Sequence, residues 1–172
     1  MVQNAQLRKS IVDMVVRSGE GHIPSSFSIV DIVATLYKTV LRIDKHNPDS
    51  PERDYFVLSK GHGAAALFAV LHNEGLLSNR DLESYSRQGG ILGGHADATK
   101  VPFVEASTGS LGHGLPIATG IALGLKIRNQ TNKVIALIGD GESQEGTTWE
   151  AALVAVNRSL ENLCVIVDWN QS

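Results

Sequence analysis

Apolar and polar residues follow two different patterns along this chain, and these patterns predict alternating strands and helices. Apolar positions three or four residues apart indicate helices, whereas continuous β-branched runs indicate buried strands. We predict strands over residues 55–58, 133–138 and 163–168. We predict helices over residues 5–18, 28–41, 61–74, 78–87, 113–128 and 146–158. This alternation favours an α/β fold, with a doubly wound parallel sheet and helices on both faces.

Local signals predict several boundaries of these elements. Ser28 and Ser78 each stand three residues before an aspartate, which indicates capping boxes at the starts of two helices. Gly75 is placed to end the helix before it. Residues 19–26 and 88–110 are rich in glycine and break the helical period, so we predict loops there. Long loops in compact domains are usually functional.

The length of the chain fits one domain over residues 1–172, without a linker or an internal repeat. We expect this domain to be incomplete at its C-terminal end, because an open α/β sheet rarely stops directly after a central strand. Cys164 lies inside an apolar run, so we expect it to be buried.

Composition argues against several classes of function. The net charge of −3 offers no electrostatic basis for binding nucleic acid or an anionic membrane. No apolar run approaches the roughly 20 residues that span a bilayer, and the N-terminus lacks the pattern of a signal peptide. We therefore expect a cytoplasmic protein.

Two side chains whose oxygens can bind a metal ion follow two of the predicted strands. Asp140 comes after residues 133–138 within Gly-Asp-Gly, and Asn170 comes after residues 163–168. The carboxyl ends of parallel strands share one edge of the sheet, where ligands bind in open α/β folds. Such oxygens suit Mg²⁺, or Ca²⁺ or Mn²⁺, and Gly141 leaves its N–H accessible to a phosphate oxygen. Gly-Asp-Gly alone is more typical of a turn, but its pairing with Asn170 favours a divalent cation that carries a diphosphate.

Four of the six histidines stand beside glycines: His22, His62, His95 and His113. Glycine lets the backbone approach a ligand closely, and imidazole can hydrogen-bond phosphate, hydroxyl or carbonyl oxygen. Any one of them alone is more typical of an ordinary loop or cap. Together they favour a shared cleft.

The segments that carry these residues resemble motifs of the transketolase family. Gly-Asp-Gly followed by Asn170 is similar to the thiamine diphosphate motif. Four further segments are similar to transketolase motifs and occur in the same order: Ser18–His22, Arg53–His62, Gly93–His95 and Ser107–Gly114. The chain therefore resembles the N-terminal, diphosphate-binding section or subunit of a thiamine diphosphate-dependent transketolase.

The resemblance implies three groups of site residues. The implied metal ligands are Asp140, Asn170 and the backbone carbonyl of Ser172. The implied cofactor contacts are His62, Gly109, Ser110, Leu111, Gly141 and Glu142. The implied catalytic residues, which would touch substrate hydroxyls or the carbonyl, are His22 and His95.

The resemblance also implies an activity and a partner. The activity is transfer of a two-carbon ketol unit from a ketose or ketose phosphate to an aldose acceptor. The chain does not match the pyrimidine-binding domain, which carries the glutamate that activates the cofactor. A C-terminal transketolase subunit would supply that domain, in a heterotetramer with two copies of each chain or in a dimer.

Departures from the family pattern leave the sugar open. Residues 23–28 and the pair Ala96-Asp97 differ from the usual transketolase sequence where a sugar would lie. Alternatives are a non-catalytic regulatory subunit and another thiamine diphosphate enzyme, similar to 1-deoxyxylulose-5-phosphate synthase or a 2-oxo acid dehydrogenase component. The class of dinucleotide-binding oxidoreductases is disfavoured, because no Gly-x-Gly here is completed to Gly-x-Gly-x-x-Gly.

Overall fold

Three parallel strands lie at the centre of the structure. The computed structural model describes residues 2–48 and 50–171. The strands are β1 (Tyr55–Leu58), β2 (Val134–Gly139) and β3 (Leu163–Asp168). They are ordered β1-β2-β3 in the sheet, with Val134 opposite Tyr55 on one side and Leu163 on the other. The predicted strands and their parallel arrangement are confirmed.

Seven α-helices are formed by the residues that the structure describes. They are α1 (Val2–Ser18), α2 (Ile23–Phe27), α3 (Val30–Thr35), α4 (Ala64–Asn73), α5 (Asn79–Glu83), α6 (Gly114–Ile127) and α7 (Gly146–Asn157). A π-helical turn, Leu36–Val40, continues α3. Short 3₁₀ turns, Gly61–Gly63 and Gly141–Gln144, precede α4 and α7.

Helices cover both faces of the sheet, as predicted. Side chains alternate across a strand, so Phe56 and Leu58 of β1 pack with α1, α3 and α4, whereas Val57 packs with α6 and α7. Residues 64–71 of α4 are buried on all sides, which makes α4 a core helix. The fold is therefore an α/β fold with two apolar layers around a parallel sheet.

The predicted boundaries near α4 and α5 are confirmed. Gly75 follows α4 with a positive φ of 76°, a conformation that suits glycine after a helix. Ser78 and Asp81 form a complete capping box at the start of α5.

Two boundary predictions near the N-terminus are wrong. Residues 19–26 are not a loop throughout, because α2 begins within them and carries Pro24 in its first turn, where the fixed φ of proline suits a helix. Ser28 is not the N-cap of a helix. It is the C-cap residue of α2, and the N-cap residue of α3 is Ile29. The hydroxyl of Ser28 donates instead to Asp168.

The prediction that Cys164 is buried is also wrong. β3 is the last strand of the described sheet, and Cys164 is exposed. Val165 and Val167 are likewise 41% and 44% exposed. An apolar run thus indicated a strand here without indicating how fully that strand is covered.

Within the described residues, none of the helices has the length and apolar character needed to cross a membrane.

Candidate active site

Asp140 and Asn170, two of the three predicted metal-binding residues, lie near each other at the carboxyl edge of the sheet. The N–H of Asp140 donates to the carbonyl of Asp168 at 3.1 Å, which extends the pairing of β2 and β3 by one step. The N–H of Gln171 then donates to Asp140 Oδ2 at 2.8 Å. The Asp140 carboxylate therefore lies directly against the backbone that follows Asn170. Ser172, the third implied ligand, lies outside the described residues.

The backbone N–H of Gly141 already forms a hydrogen bond with the side chain of the preceding residue. Its N–H donates to Asp140 Oδ1 at 2.9 Å. A diphosphate oxygen would share or replace that hydrogen bond, so the contact from Gly141 to the cofactor stays a prediction.

A buried network lies beside Asn170. Asp168 Oδ2 accepts hydrogen bonds from Lys60 Nζ at 2.5 Å, from Ser28 Oγ at 2.8 Å and from Asn170 Nδ2 at 2.8 Å. Asp168 and Lys60 are each only 6% exposed. Burial alone would raise the pKa of Asp168, but these three hydrogen bonds outweigh burial and hold the pKa below its ordinary value.

The buried Glu142 joins three loops at this edge. It is 2% exposed. Its carboxylate accepts hydrogen bonds from the Ser59 hydroxyl at 2.5 Å, from Gly112 N–H at 2.9 Å and from Gly139 N–H at 3.2 Å. Both carboxylate oxygens of Glu142 accept hydrogen bonds, and these bonds hold the ends of β1 and β2 against the loop before α6. Its predicted cofactor contact remains untested and would fall to other atoms of the residue.

Three histidines form a cluster at the same edge. The ring centroids of His22 and His62 lie 5.0 Å apart, those of His62 and His95 lie 5.0 Å apart, and those of His22 and His95 lie 6.0 Å apart. Each ring contributes a nitrogen that lies within 4.8 Å of the other two. The predicted shared cleft thus contains His22, His62 and His95. His113 makes no ring contact with them in the described structure, and its Nδ1 lies 3.1 Å from the carbonyl oxygen of Leu111.

The three rings differ in their surroundings. His22 and His95 are exposed, whereas His62 is half-buried. Burial lowers the pKa of His62, and the neighbouring His95 and His22 lower it further. This lowered pKa favours the neutral imidazole, which has one N–H to donate and one nitrogen to accept.

The long loop before α6 is held in place by contacts with β1. Thr108 donates its N–H to the Ala96 carbonyl at 3.1 Å and its hydroxyl to the Leu58 carbonyl at 2.7 Å. A Cβ on Gly61 would lie only 2.5 Å from the Thr108 carbonyl oxygen, and a Cβ on Gly109 would lie 3.0 Å from the His95 ring. The glycines therefore allow the close approach that brings His95 to the cluster.

The remaining predicted cofactor contacts lie on the same loop. Ser110 is exposed and Leu111 is half-buried, with its carbonyl near the His113 ring. A groove of about 500 Å³ opens next to His95 and Ser107. The charged side chains that line it are Glu20, Arg87, Asp97 and Lys100.

Several site residues were missed by the sequence analysis. Lys60 comes two residues after a predicted buried strand, which is an unusual place for a lysine and could have suggested a buried partner. Ser28 and Asp168 carried no such signal, because their contact joins positions 140 residues apart.

An α/β fold whose carboxyl edge gathers an aspartate, an asparagine and three histidines is the architecture of a cofactor-binding enzyme domain. Residues 2–172 match the family model described as "Transketolase, thiamine diphosphate binding domain". The chain belongs to the transketolase family, as its sequence motifs indicated.

Known proteins similar to this chain include separate subunits. It is 41% identical over 165 residues to the 6-deoxy-6-sulfo-D-fructose transketolase subunit SqwG of Clostridium sp. (strain MSTE9), a match that covers 96% of this chain and 60% of that protein. It is 40% identical over 166 residues to an apulose-4-phosphate transketolase subunit of Actinobacillus succinogenes, with the same coverage of 96% and 60%. The chain thus spans about three fifths of the length of these relatives.

Solved transketolases have the same fold over this region. The transketolase from Leishmania mexicana matches with a TM-score of 0.89 and 30% identity, over 96% of this chain and 26% of that chain. The transketolase from Campylobacter jejuni matches with a TM-score of 0.85 and 31% identity, over 96% and 27% of the two chains.

Proposed function

We propose that this chain is the diphosphate- and metal-binding component of a thiamine diphosphate-dependent transketolase. The enzyme transfers a two-carbon ketol unit from a ketose or ketose phosphate to an aldose. The observation that supports the proposal is the hydrogen bond from the N–H of Gln171, the residue after Asn170, to the Asp140 carboxylate, at the edge where three histidines meet.

The donor set at this edge fits a hard divalent cation. Asp140 offers a carboxylate and Asn170 an amide oxygen, and Mg²⁺ normally takes one or two such protein oxygens together with phosphate oxygens. The Ser172 carbonyl is the third proposed ligand. Gly109, Ser110, Leu111, Gly141 and Glu142 are the proposed cofactor contacts around it. When bound, thiamine diphosphate supplies the electron sink for carbon–carbon bond cleavage and formation.

The histidine cluster divides into two proposed roles. The half-buried His62 donates a hydrogen bond from a ring N–H to a diphosphate oxygen. The exposed His22 and His95 hydrogen-bond hydroxyl or carbonyl oxygens of the substrate and hold or release protons there. The polar groove beside His95 supports a ligand with many hydroxyl groups, with or without a phosphate.

The proposed partner is a C-terminal transketolase subunit that carries the pyrimidine-binding domain and the activating glutamate. Support comes from the relatives that are themselves named transketolase subunits. The assembly is a heterotetramer with two copies of each chain, or a dimer.

Calorimetry on the assembled complex tests the cofactor site. We expect thiamine diphosphate to bind only when Mg²⁺ is present. Absence of metal-dependent binding would favour a non-catalytic regulatory subunit instead. The isolated chain should have negligible activity, and substantial turnover without the partner would contradict the proposed division of the site.

A substrate screen of the same complex tests the reaction. We expect cleavage of ketoses with transfer of the two-carbon unit to an aldose. Decarboxylation of pyruvate without ketose cleavage would favour a 2-oxo acid dehydrogenase component, and condensation of pyruvate with a triose phosphate would favour the deoxyxylulose phosphate synthase class.

A further inference from the structure

The contact between Asp168 and Asn170 determines which end of the Asn170 amide faces Asp168. Oδ2 of Asp168 already serves as a hydrogen-bond acceptor, because Lys60 Nζ donates to it at 2.5 Å and Ser28 Oγ donates to it at 2.8 Å. Only the NH₂ end of an amide can donate to such an acceptor. The amide nitrogen of Asn170, 2.8 Å from Asp168 Oδ2, is therefore the end that faces the carboxylate. Because the amide is planar, its oxygen points in a different direction.

This orientation matters for an amide that binds a metal ion. The two ends of an asparagine side chain have nearly the same shape, so an unrestrained amide can present either its oxygen or its NH₂ group to a cation. Only the oxygen is a ligand. A partner that holds the NH₂ end removes the unproductive orientation before the metal ion arrives.

We propose that Asp168 is a positioning residue for the metal site, because it holds the NH₂ end of Asn170 and so directs the amide oxygen toward the cation. This inference rests on the proposed function, in which Asn170 is a metal ligand. Asp168 itself does not touch the metal ion or the substrate.

The position of Asp168 is itself set by two other elements. Lys60 reaches it from the loop after β1, and Ser28 reaches it from the end of α2. Lys60 Nζ also donates to the Ser28 hydroxyl at 3.2 Å, so the two donors hold each other as well as the carboxylate. The acceptor for Asn170 is therefore fixed by contacts from both neighbouring elements. The site is organised by residues that are 32 to 140 positions apart in the chain.

Removal of the acceptor provides the first test. The probe is Mn²⁺ binding in the presence of thiamine diphosphate, measured by electron paramagnetic resonance on the complex in which the chain is assembled. We expect Asp168→Ala to weaken Mn²⁺ binding by about 10- to 100-fold, the usual range for losing a group that orients a metal ligand. Asp168→Asn keeps an oxygen that can accept from Asn170, so it should stay within about threefold of the wild type. Equal losses in both variants would overturn the inference, because the negative charge alone would then explain the effect.

A matched control separates orientation from stability. Asp54 is also a buried aspartate in an ion pair, but it lies before β1, at the opposite end of the sheet. Asp54→Ala should lower the unfolding temperature and leave Mn²⁺ affinity unchanged. If Asp54→Ala weakens Mn²⁺ binding as much as Asp168→Ala, loss of stability explains both effects and the inference fails.

If Asp168→Ala does not fold, exchanging the carboxylate and the amide between positions 168 and 170 still tests the proposal. Asn170→Asp places a second carboxylate against Asp168, and we expect at least 10-fold weaker Mn²⁺ binding although carboxylates are good ligands. The double variant Asp168→Asn with Asn170→Asp has the same net charge as the wild type and restores a donor–acceptor pair. We expect it to recover most of the affinity. Unchanged or tighter binding by Asn170→Asp alone would refute the inference.

The wild-type measurement distinguishes failure of this inference from failure of the proposed function. If the wild-type complex binds no Mn²⁺ with thiamine diphosphate, the proposed function is wrong. If it binds Mn²⁺ and both Asp168 variants bind equally well, only the positioning role is wrong.

Discussion

Two buried aspartates at opposite ends of the sheet make similar ion pairs but differ in the donors around them. Asp54, at the amino end, is 1% exposed and accepts from the Arg42 guanidinium at 2.8 Å. It also accepts from the backbone N–H groups of Arg42 at 3.0 Å and Lys133 at 2.7 Å. Asp168 lies at the carboxyl end of the sheet. Within the part of the chain that the structure describes, all the hydrogen bonds to its carboxylate come from side chains, those of Ser28, Lys60 and Asn170.

We propose that this difference separates a structural role for Asp54 from a functional role for Asp168. Backbone donors tie Asp54 to the segments before β1 and β2, so its hydrogen bonds fix the chain path. A side-chain donor such as the Asn170 amide has a second polar end, and that end can bind a ligand. Under the proposed function, the Arg42–Asp54 ion pair stabilises the fold at one edge of the sheet, and the Lys60–Asp168 ion pair prepares the metal site at the other. The experiments below start from this contrast.

The largest expected effect is on cofactor binding. Asp140→Ala removes the only carboxylate of the proposed metal site, and we expect metal-dependent binding of thiamine diphosphate to weaken by about 100-fold or more. Asp54→Ala should leave this affinity unchanged. Calorimetry on the assembled complex measures both, and normal binding by Asp140→Ala would remove the basis of the site assignment.

The two cations should differ in their contribution to stability. Lys60→Met leaves the Asp168 charge buried without its ion-pair partner, which costs about 3 kcal/mol in the free energy of unfolding. Arg42→Met should cost only about 1 kcal/mol, because the Arg42 side chain is 52% exposed and Asp54 keeps its two backbone donors. Denaturant unfolding of the two variants measures the difference. Equal losses of unfolding free energy in the two variants would show that the buried ion pair contributes no more to stability than the partly exposed one.

A catalytic effect should be confined to the carboxyl edge. We expect His95→Ala to bind cofactor normally and to lower turnover by about 100-fold, the usual contribution of a residue that transfers protons. His46, an exposed histidine in the turn before β1, provides the matched control. His46→Ala should keep wild-type turnover. Normal turnover by His95→Ala would move the catalytic role to another residue of the cluster.

The smallest expected effect is on the pH dependence of stability. Burial alone would raise the pKa of Asp54, but hydrogen bonds from Arg42 and Lys133 outweigh burial and lower the pKa from 3.8. The folded state therefore binds this proton less readily than the unfolded state. The resulting stability is present above 3.8 and is lost as the pH falls through the folded-state pKa.

Thermal unfolding between about pH 5 and about pH 3 tests this dependence. The unfolding temperature should fall with pH in the wild type. It should fall less steeply in Asp54→Asn, which has no carboxylate to titrate. A steeper fall in that variant would contradict the assigned direction of the shift.

Much of the fold could be predicted because its signals are local. The runs 133–138 and 163–168 contain β-branched residues. Gly139 follows the first run and Asp168 ends the second, and the observed strands differ from the runs by at most one residue at either end. Ser78 and Asp81 lie three residues apart, so their capping box needs no distant partner. Ser28 has the same spacing to Asp31, but its hydroxyl donates a hydrogen bond to the distant carboxylate of Asp168 and forms no capping box.

The amino-acid sequence by itself determined the strands, the longer helices and the residue types of the candidate site, because hydrophobic period, turn chemistry and motif spacing act between near neighbours. Only the tertiary structure decided that His22, His62 and His95 meet while His113 does not, and that Lys60 and Ser28 reach the oxygen of Asp168 that accepts from Asn170. These contacts join separate strands and loops across the sheet. Their geometry depends on the packing of two apolar layers, and no local pattern in the sequence encodes it.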